Sequence, residues 1–421
     1  MDNYTDVNAG RPQTREEAEA LAWTMPLDQI SPANPWLFSL GAELPYFERL
    51  RREDPVHYAR NDVVGGYWSL TRWDDIMAVD TNHQMFSSQP SITLRDPEEQ
   101  LPLPMFIAMD QPKHTMQRKT VNAVAQPPAI EALEPLIRKR AGEILDSLPI
   151  GQDINWVDKV SIELTAMTLA TLFGIPQEDR RKLTRWSDVA TSTDDSGLML
   201  TKEQRKAELL ECLAYFTDVW NDRVGKSGGS DLISMLANGE ATKDMDRFEY
   251  LGNLILLIVG GNDTTRNTIT GSIYALNKNP AQFDTLKANH ALIPNMVSET
   301  IRWQTPLAYM KRVAKQDVEI GGKQIKTGEK VAMWYVSGNR DESKIERPND
   351  YWIERPNPRQ HLSFGFGIHR CLGQRVAEVQ LRVIWEEILK RFKHIEVTGE
   401  PTRVLSSFVR GYETLPVRLH A

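Results

Sequence analysis

Apolar residues recur at three- and four-residue intervals over most of this 421-residue chain, the spacing that gathers them on one stripe of an α-helix. The pattern predicts helices over residues 45–53, 71–80, 114–125, 128–147, 156–173, 180–188, 202–224, 246–279, 281–289, 293–304 and 375–392. Strand-like pieces are fewer and shorter, at 56–58, 67–70, 318–320, 324–325, 330–335, 406–410 and 415–419. Gly321-Gly322, between two of them, suits a tight hairpin turn. The Pro-rich stretch 87–111 and the stretch 190–201 carry no clear period; long loops of this kind are often lids or binding segments. A mainly α protein with small peripheral β-sheets is expected.

No Gly/Ser linker, internal repeat or low-complexity block divides the chain. One domain is therefore expected over 31–421, preceded by a polar N-terminal extension over 1–30. An apolar content of 41% and a charged content of 25% are those of an ordinary globule with a large core. A net charge of −7 argues against nucleic acid as the main partner. Residues 1–25 lack the apolar run of a signal peptide. The longest apolar run, 254–259, is far too short to span a bilayer, so a cytoplasmic protein without a membrane anchor is expected. Two cysteines, Cys212 and Cys371, supply no disulfide framework.

One of them has unusual surroundings. Phe364-Gly365-Phe366-Gly367-Ile368-His369-Arg370-Cys371-Leu372-Gly373 crowds glycine around Cys371, just before a predicted helix. Glycine lets backbone pass close to a flat object and reach φ values that other residues resist. A helix amino terminus and the adjacent Arg370 favour the thiolate, the nucleophilic and metal-binding form of cysteine. Taken alone, the loop also suits a buried packing cysteine. A Cys–His pair with His369 is a further reading, although a two-residue separation leaves little room for a base and its orienting group.

Three other patterns bear on chemistry. Gly260-Gly261-Asn262-Asp263-Thr264-Thr265 lies midway along the longest predicted helix. Its two glycines weaken that helix by roughly 1 kcal/mol each relative to alanine, and Thr264 can compete for backbone carbonyls, so a local distortion is expected. Glu299 and Arg302 are i,i+3 neighbours, and His114 and Arg118 share a helix face at i,i+4.

Together these strings resemble the cytochrome P-450 superfamily, from about Asn34 to the C-terminus. Gly260 to Asn267, with Ile301-Arg302-Trp303-Gln304-Thr305-Pro306-Leu307-Ala308-Tyr309-Met310 and Met333 to Glu342, are similar to the bacterial alkane ω-hydroxylase family. That family hydroxylates the terminal methyl of medium-chain alkanes and fatty acids.

The resemblance implies the superfamily's triangular helical fold and a haem b cofactor, with Cys371 as the iron ligand. Phe364 opens the ligand loop, and His114, Arg118, Arg312 and His361 would bind the propionates. Thr264 would donate a hydrogen bond toward dioxygen, with Asp263 relaying protons from solvent. Glu299, Arg302 and Arg355 would form a buried structural cluster that keeps the Cys loop in register. Ile92, Leu94, Met105 and Phe106 would line the substrate site from the Pro-rich loop. Leu256, Val259 and Gly260 would do so from the long helix. Leu307, Ala308 and Met310 would sit beside the haem, with Phe408 on the far side.

Electrons would come singly from a [2Fe–2S] ferredoxin and its reductase, since the chain has no G-x-G-x-x-G nucleotide signature. A monomer acting on O2 and a medium-chain aliphatic substrate follows. Hydroxylation of a terpenoid or steroid on the same fold is the alternative. A non-catalytic haem sensor or carrier is a second one, but it has no use for the proton delivery that Asp263 and Thr264 offer.

Overall fold

The computed structural model describes residues 11–97, 101–192, 198 and 200–421. Its axis is the helix Arg247–Lys278, capped by the Asp246 carboxylate, which accepts the Phe248 and Glu249 N–H groups. This central helix is buried along most of its length against Ile162–Phe173, Arg180–Thr191, Ile293–Gln304 and Gln374–Arg391. Two apolar cores share it. Its first half (Leu251, Leu254, Ile258) packs with Phe173, Trp186 and Phe216. Its second half (Ile269, Ile273, Leu276) packs with Trp156, Ile384 and Trp385. Residues 260–268 lie between the two cores, beside a cavity.

The helix runs unbroken through Gly260-Gly261, and Thr264 competes for the Gly260 carbonyl as expected. Gly261 serves packing: a methyl there would lie 2.5 Å from Leu169 Cδ2. The periodicity at 156–173 resolves into a π-helical turn, Val157–Ser161, followed by Ile162–Phe173. The stretch 114–125 becomes the helix Lys113–Val121 and a 3-10 turn, Asn122–Ala125.

The largest sheet orders its strands Val56–Asn61, Gly65–Leu70, Lys330–Met333, Met310–Ala314 and Phe86–Ser87. Only the second and third run parallel. The hairpin at Gly321-Gly322 forms as expected, with φ of +54° and +76°. Over 406–410 no full strand forms, but Val409 bridges antiparallel to Leu307; longer strands follow at Tyr412–Thr414 and Pro416–His420.

Within the span expected as a polar extension, Arg15–Thr24 is a helix with a Thr14–Glu17 capping box. Its Ala18 and Ala22 are buried with Ile30, Tyr46 and Leu50, and the Tyr46 hydroxyl donates to the Ala18 carbonyl at 2.8 Å. Two alanines give too little apolar signal for periodicity to reveal such a helix. Among the described residues, no helix is long and apolar enough to cross a membrane.

Candidate active site

The Gly-rich loop ends in the tight turn Gly367–His369, and Gln374–Arg391 starts soon after. Gly365 and Gly367 have φ of +63° and +66°. A Cβ on Gly367 would meet the Asp80 carbonyl oxygen at 2.6 Å, so only glycine passes there. The Cys371 N–H donates to the Phe364 carbonyl at 2.8 Å. That bond closes the loop and leaves the thiol unbridged at the wall of a cavity of about 1070 Å³. Burial within protein raises the thiol's pKa, opposed by the Gly373 N–H and by the charges of Arg118 and Arg370. Cys212, by contrast, is buried in an apolar core.

Three buried polar clusters fix this loop. In the first, Glu299 accepts from Arg302 at 2.8 Å and from Arg355 at 3.0 Å, all three being buried. Arg302 also donates to the carbonyls of Asn339, Pro348 and Asp350, which ties the segment before the loop to the helix behind it. In the second, Asn339 accepts the Leu362 N–H at 2.6 Å and donates to the Ser363 hydroxyl at 2.9 Å. The third is centred on Asp80, which accepts from Arg312 at 3.0 Å, the Tyr335 hydroxyl at 2.9 Å and the Phe366 N–H at 2.8 Å. Sequence reasoning found the first cluster and missed Asn339 and Asp80. A lone Asp at the end of the helix Trp73–Asp80 looks like a surface residue until the fold brings Arg312 and Phe366 to it.

Thr264 borders the same cavity as the thiol, and its hydroxyl donates to the Gly260 carbonyl at 2.7 Å. A Cβ on Gly260 would meet nothing within 4 Å, so the groove beside the threonine is open. Asp263 is fully buried and is not on the cavity wall. It accepts from Ser187 at 3.1 Å and pairs with Arg266 at 3.0 Å. Burial raises its pKa, and Arg266 opposes the rise.

Of the expected substrate contacts, Ile92, Met105, Phe106, Leu256, Val259, Gly260, Leu307, Met310 and Phe408 line the cavity. Leu94 and Ala308 do not. Both are wholly buried behind the wall with Tyr309 and Trp334. Each is turned by a backbone bond: the Leu94 N–H donates to the Tyr309 hydroxyl at 3.1 Å, and the Ala308 N–H to the Phe408 carbonyl at 2.9 Å. Leu169 and Leu172 complete the wall; sequence reasoning missed them, because they sit on an ordinary apolar helix stripe.

Arg118, Arg312 and Phe364 also line the cavity. His114 lies just behind, its ring centre 4.1 Å from that of His369. Burial, then Arg118 and Arg312, pushes His114 down to about 4. The expected fourth propionate ligand, His361, is buried against Phe364 and absent from the wall. His369 lines the cavity instead, its Nε2 2.9 Å from the Ser88 hydroxyl. Both ring nitrogens of His114 and Nδ1 of His369 are buried without a hydrogen-bond partner, and buried polar atoms ordinarily have one. Orphaned imidazole nitrogens, two guanidinium groups and a free thiol around one cavity fit a flat dianionic metallocycle held through its metal and its carboxylates.

The arrangement defines a haem-thiolate oxygenase. The cytochrome P450 family model matches residues 151–413, well over half of the chain, and the chain belongs to that family. Linalool 8-monooxygenase of Pseudomonas putida is 33% identical, over 92% of this chain and 98% of its own length. The methyl-branched lipid omega-hydroxylase of Mycobacterium bovis is 34% identical, over 88% and 90%. The solved structure of cytochrome P450-153 from Novosphingobium aromaticivorans superposes with a TM-score of 0.87 at 44% identity, covering 93% of this chain and 99% of that one. The protein is thus a haem b monooxygenase that uses O2 and a redox partner. When bound, the haem supplies the redox centre at which dioxygen is activated.

Proposed function

We propose that this monooxygenase hydroxylates the terminal methyl of a medium-chain n-alkane or fatty acid, using electrons from a [2Fe–2S] ferredoxin and its reductase. The observation that carries the reading is the wall of the cavity: Leu256, Val259, Leu307, Met310 and Phe408 give apolar side chains to the same cavity that Thr264 and Cys371 border. A primary C–H bond is stronger than a secondary one, so terminal attack has to come from position, which such a wall can impose. An apolar site separates chain lengths by only ~1 kcal/mol per methylene, so length preference is broad. The similarity to an omega-hydroxylase supports the reading.

In it, Cys371 is the iron ligand, and Arg118, Arg312, His114 and His369 bind the propionates. Thr264 holds a proton donor at the open groove, supplied through Asp263. The exposed Lys113, Arg370 and Arg375 would lie near the Cys side and steer an acidic ferredoxin. The likeness to linalool 8-monooxygenase favours a second reading, oxidation of an acyclic terpenoid. Spectral titration with octane, dodecanoate and linalool, followed by product analysis, separates the two. A spin-state shift with linalool alone would reject the aliphatic reading.

A further inference from the structure

The Pro-rich loop reaches the cavity through Leu103, Met105, Phe106 and Ile107, and two adjacent residues of the central helix receive it. A Cβ on Gly252 would lie 2.1 Å from the Pro104 carbonyl oxygen and 2.9 Å from the Leu103 carbonyl carbon. The loop backbone therefore rests directly on the helix, where only glycine leaves room. One residue on, Asn253 is fully buried and its Oδ1 accepts the Phe106 N–H at 2.8 Å. Among the described residues this is the only hydrogen bond that ties 101–107 to the central helix.

The orientation of the Asn253 amide is enforced from behind. Its Nδ2 donates to Gln117 Oε1 at 3.3 Å and to the Met245 sulfur at 3.1 Å. Gln117 Nε2 donates in turn to Glu249, and Lys113 donates to the same carboxylate at 2.8 Å. A carboxylate only accepts, so every amide in the chain points its donor toward Glu249. Asn253 is left with its oxygen facing Phe106.

We infer that Gly252 and Asn253 form the seat that sets where the substrate loop stands. Asn253 is then a positioning residue for regioselectivity, acting through Phe106 and its neighbours and not by touching substrate. The inference rests on the aliphatic reading only for its product assay. The seat itself is tested without substrate, by hydrogen exchange of a peptide covering 101–109 in the haem-loaded protein.

In Asn253→Leu, haem content and the reduced carbon monoxide spectrum stay at wild-type level, and exchange in that peptide accelerates about tenfold. With dodecanoate, the ratio of terminal to penultimate product falls about threefold or more, because a loop displaced by ~1 Å changes which carbon is presented. Gly252→Ala, which pushes on Pro104, gives the same two changes and serves where Asn253→Leu folds poorly. Unchanged exchange in both variants overturns the seat. Faster exchange with an unchanged product ratio overturns its role in specificity. A wild type that leaves both octane and dodecanoate untouched rejects the aliphatic reading alone; exchange then decides the seat, and its role in specificity is read from the distribution of products on linalool.

Discussion

Asp263 Oδ1 lies 3.0 Å from Arg266 Nη2, one turn further along the same helix. The same nitrogen reaches Asp188 on Arg180–Thr191 at 2.7 Å, so one guanidinium holds two carboxylates from different helices. The acid expected to relay protons is thus off the cavity wall, its carboxylate held by Arg266 and Ser187.

Thr264 and Asp263 should fail in different ways when mutated. Thr264→Ala leaves electron consumption intact while peroxide replaces product, because the positioned donor beside the groove is gone. Asp263→Asn slows the whole cycle, by roughly a hundredfold or more in kcat, as loss of a general acid does. Oxygen and peroxide balances measured against product distinguish the two. Unchanged coupling in Thr264→Ala would remove that hydroxyl from the mechanism.

His369 and His361 part company in the same manner. His369→Ala removes an imidazole that lines the cavity, and haem should be lost roughly tenfold faster, the scale of one hydrogen bond to a charged group. His361→Ala empties a buried site against Phe364 and should lower the melting temperature without hastening haem loss. Transfer of haem to an excess of acceptor protein measures both. Equal loss rates would return His361 to the propionate set.

Glu299 gives a pH-dependent test. Burial pushes its carboxyl pKa up, but the hydrogen bonds and charges of Arg302 and Arg355 outweigh that and hold it below the ordinary value. A depressed folded-state pKa adds stability above the ordinary carboxylate range, and that stability is lost as pH falls through the lowered value. Glu299→Gln leaves two buried guanidinium groups without their anion and should cost about 3–5 kcal/mol at neutral pH. The gap from wild type should begin to narrow as pH falls below the ordinary carboxylate value of ~4.3, and close only as pH falls through the lowered folded-state value. Denaturant midpoints at pH 7 and at pH 3.5–4 check this; a gap independent of pH would show that the carboxylate charge does not matter.

Leu307 follows Pro306 on the cavity wall, held by a bridge to Val409. Leu307→Ala removes wall beside the chain end and lets the chain bend. Oxidation of octane or dodecanoate should move toward the penultimate carbon, with haem content unchanged, since ~1 Å of play matters at a fixed centre. Gas chromatography of the products decides; an unchanged ratio would mean that Leu307 does not shape the channel.

The sequence showed most plainly what repeats locally. The central helix expected over 246–279 is Arg247–Lys278, and the one expected over 293–304 is Ile293–Gln304. Glu299 and Arg302 were legible as neighbours one helical turn apart, whereas their burial and the part of Arg355 came only from the family resemblance. What stayed hidden depends on distant partners. Asp80 acquires its meaning only from Arg312, Tyr335 and Phe366. His369 and His361 are separated only when the Gly-rich loop turns one inward and the other toward Glu299 and Arg302. The strands Phe86–Ser87 and Met310–Ala314 pair with each other across more than two hundred residues, and neither has a clear alternation of its own.

The helix Arg15–Thr24 has a practical bearing on handling. It roofs Tyr46 and Leu50 with two small side chains, so shortening the chain to the span that aligns with familiar motifs would bare an aromatic ring and a leucine to solvent. Such a newly wetted apolar patch invites self-association. Trimmed material would then show its defect first as turbidity and low recovery in concentrated stocks, while haem absorbance and turnover in dilute assays stayed normal.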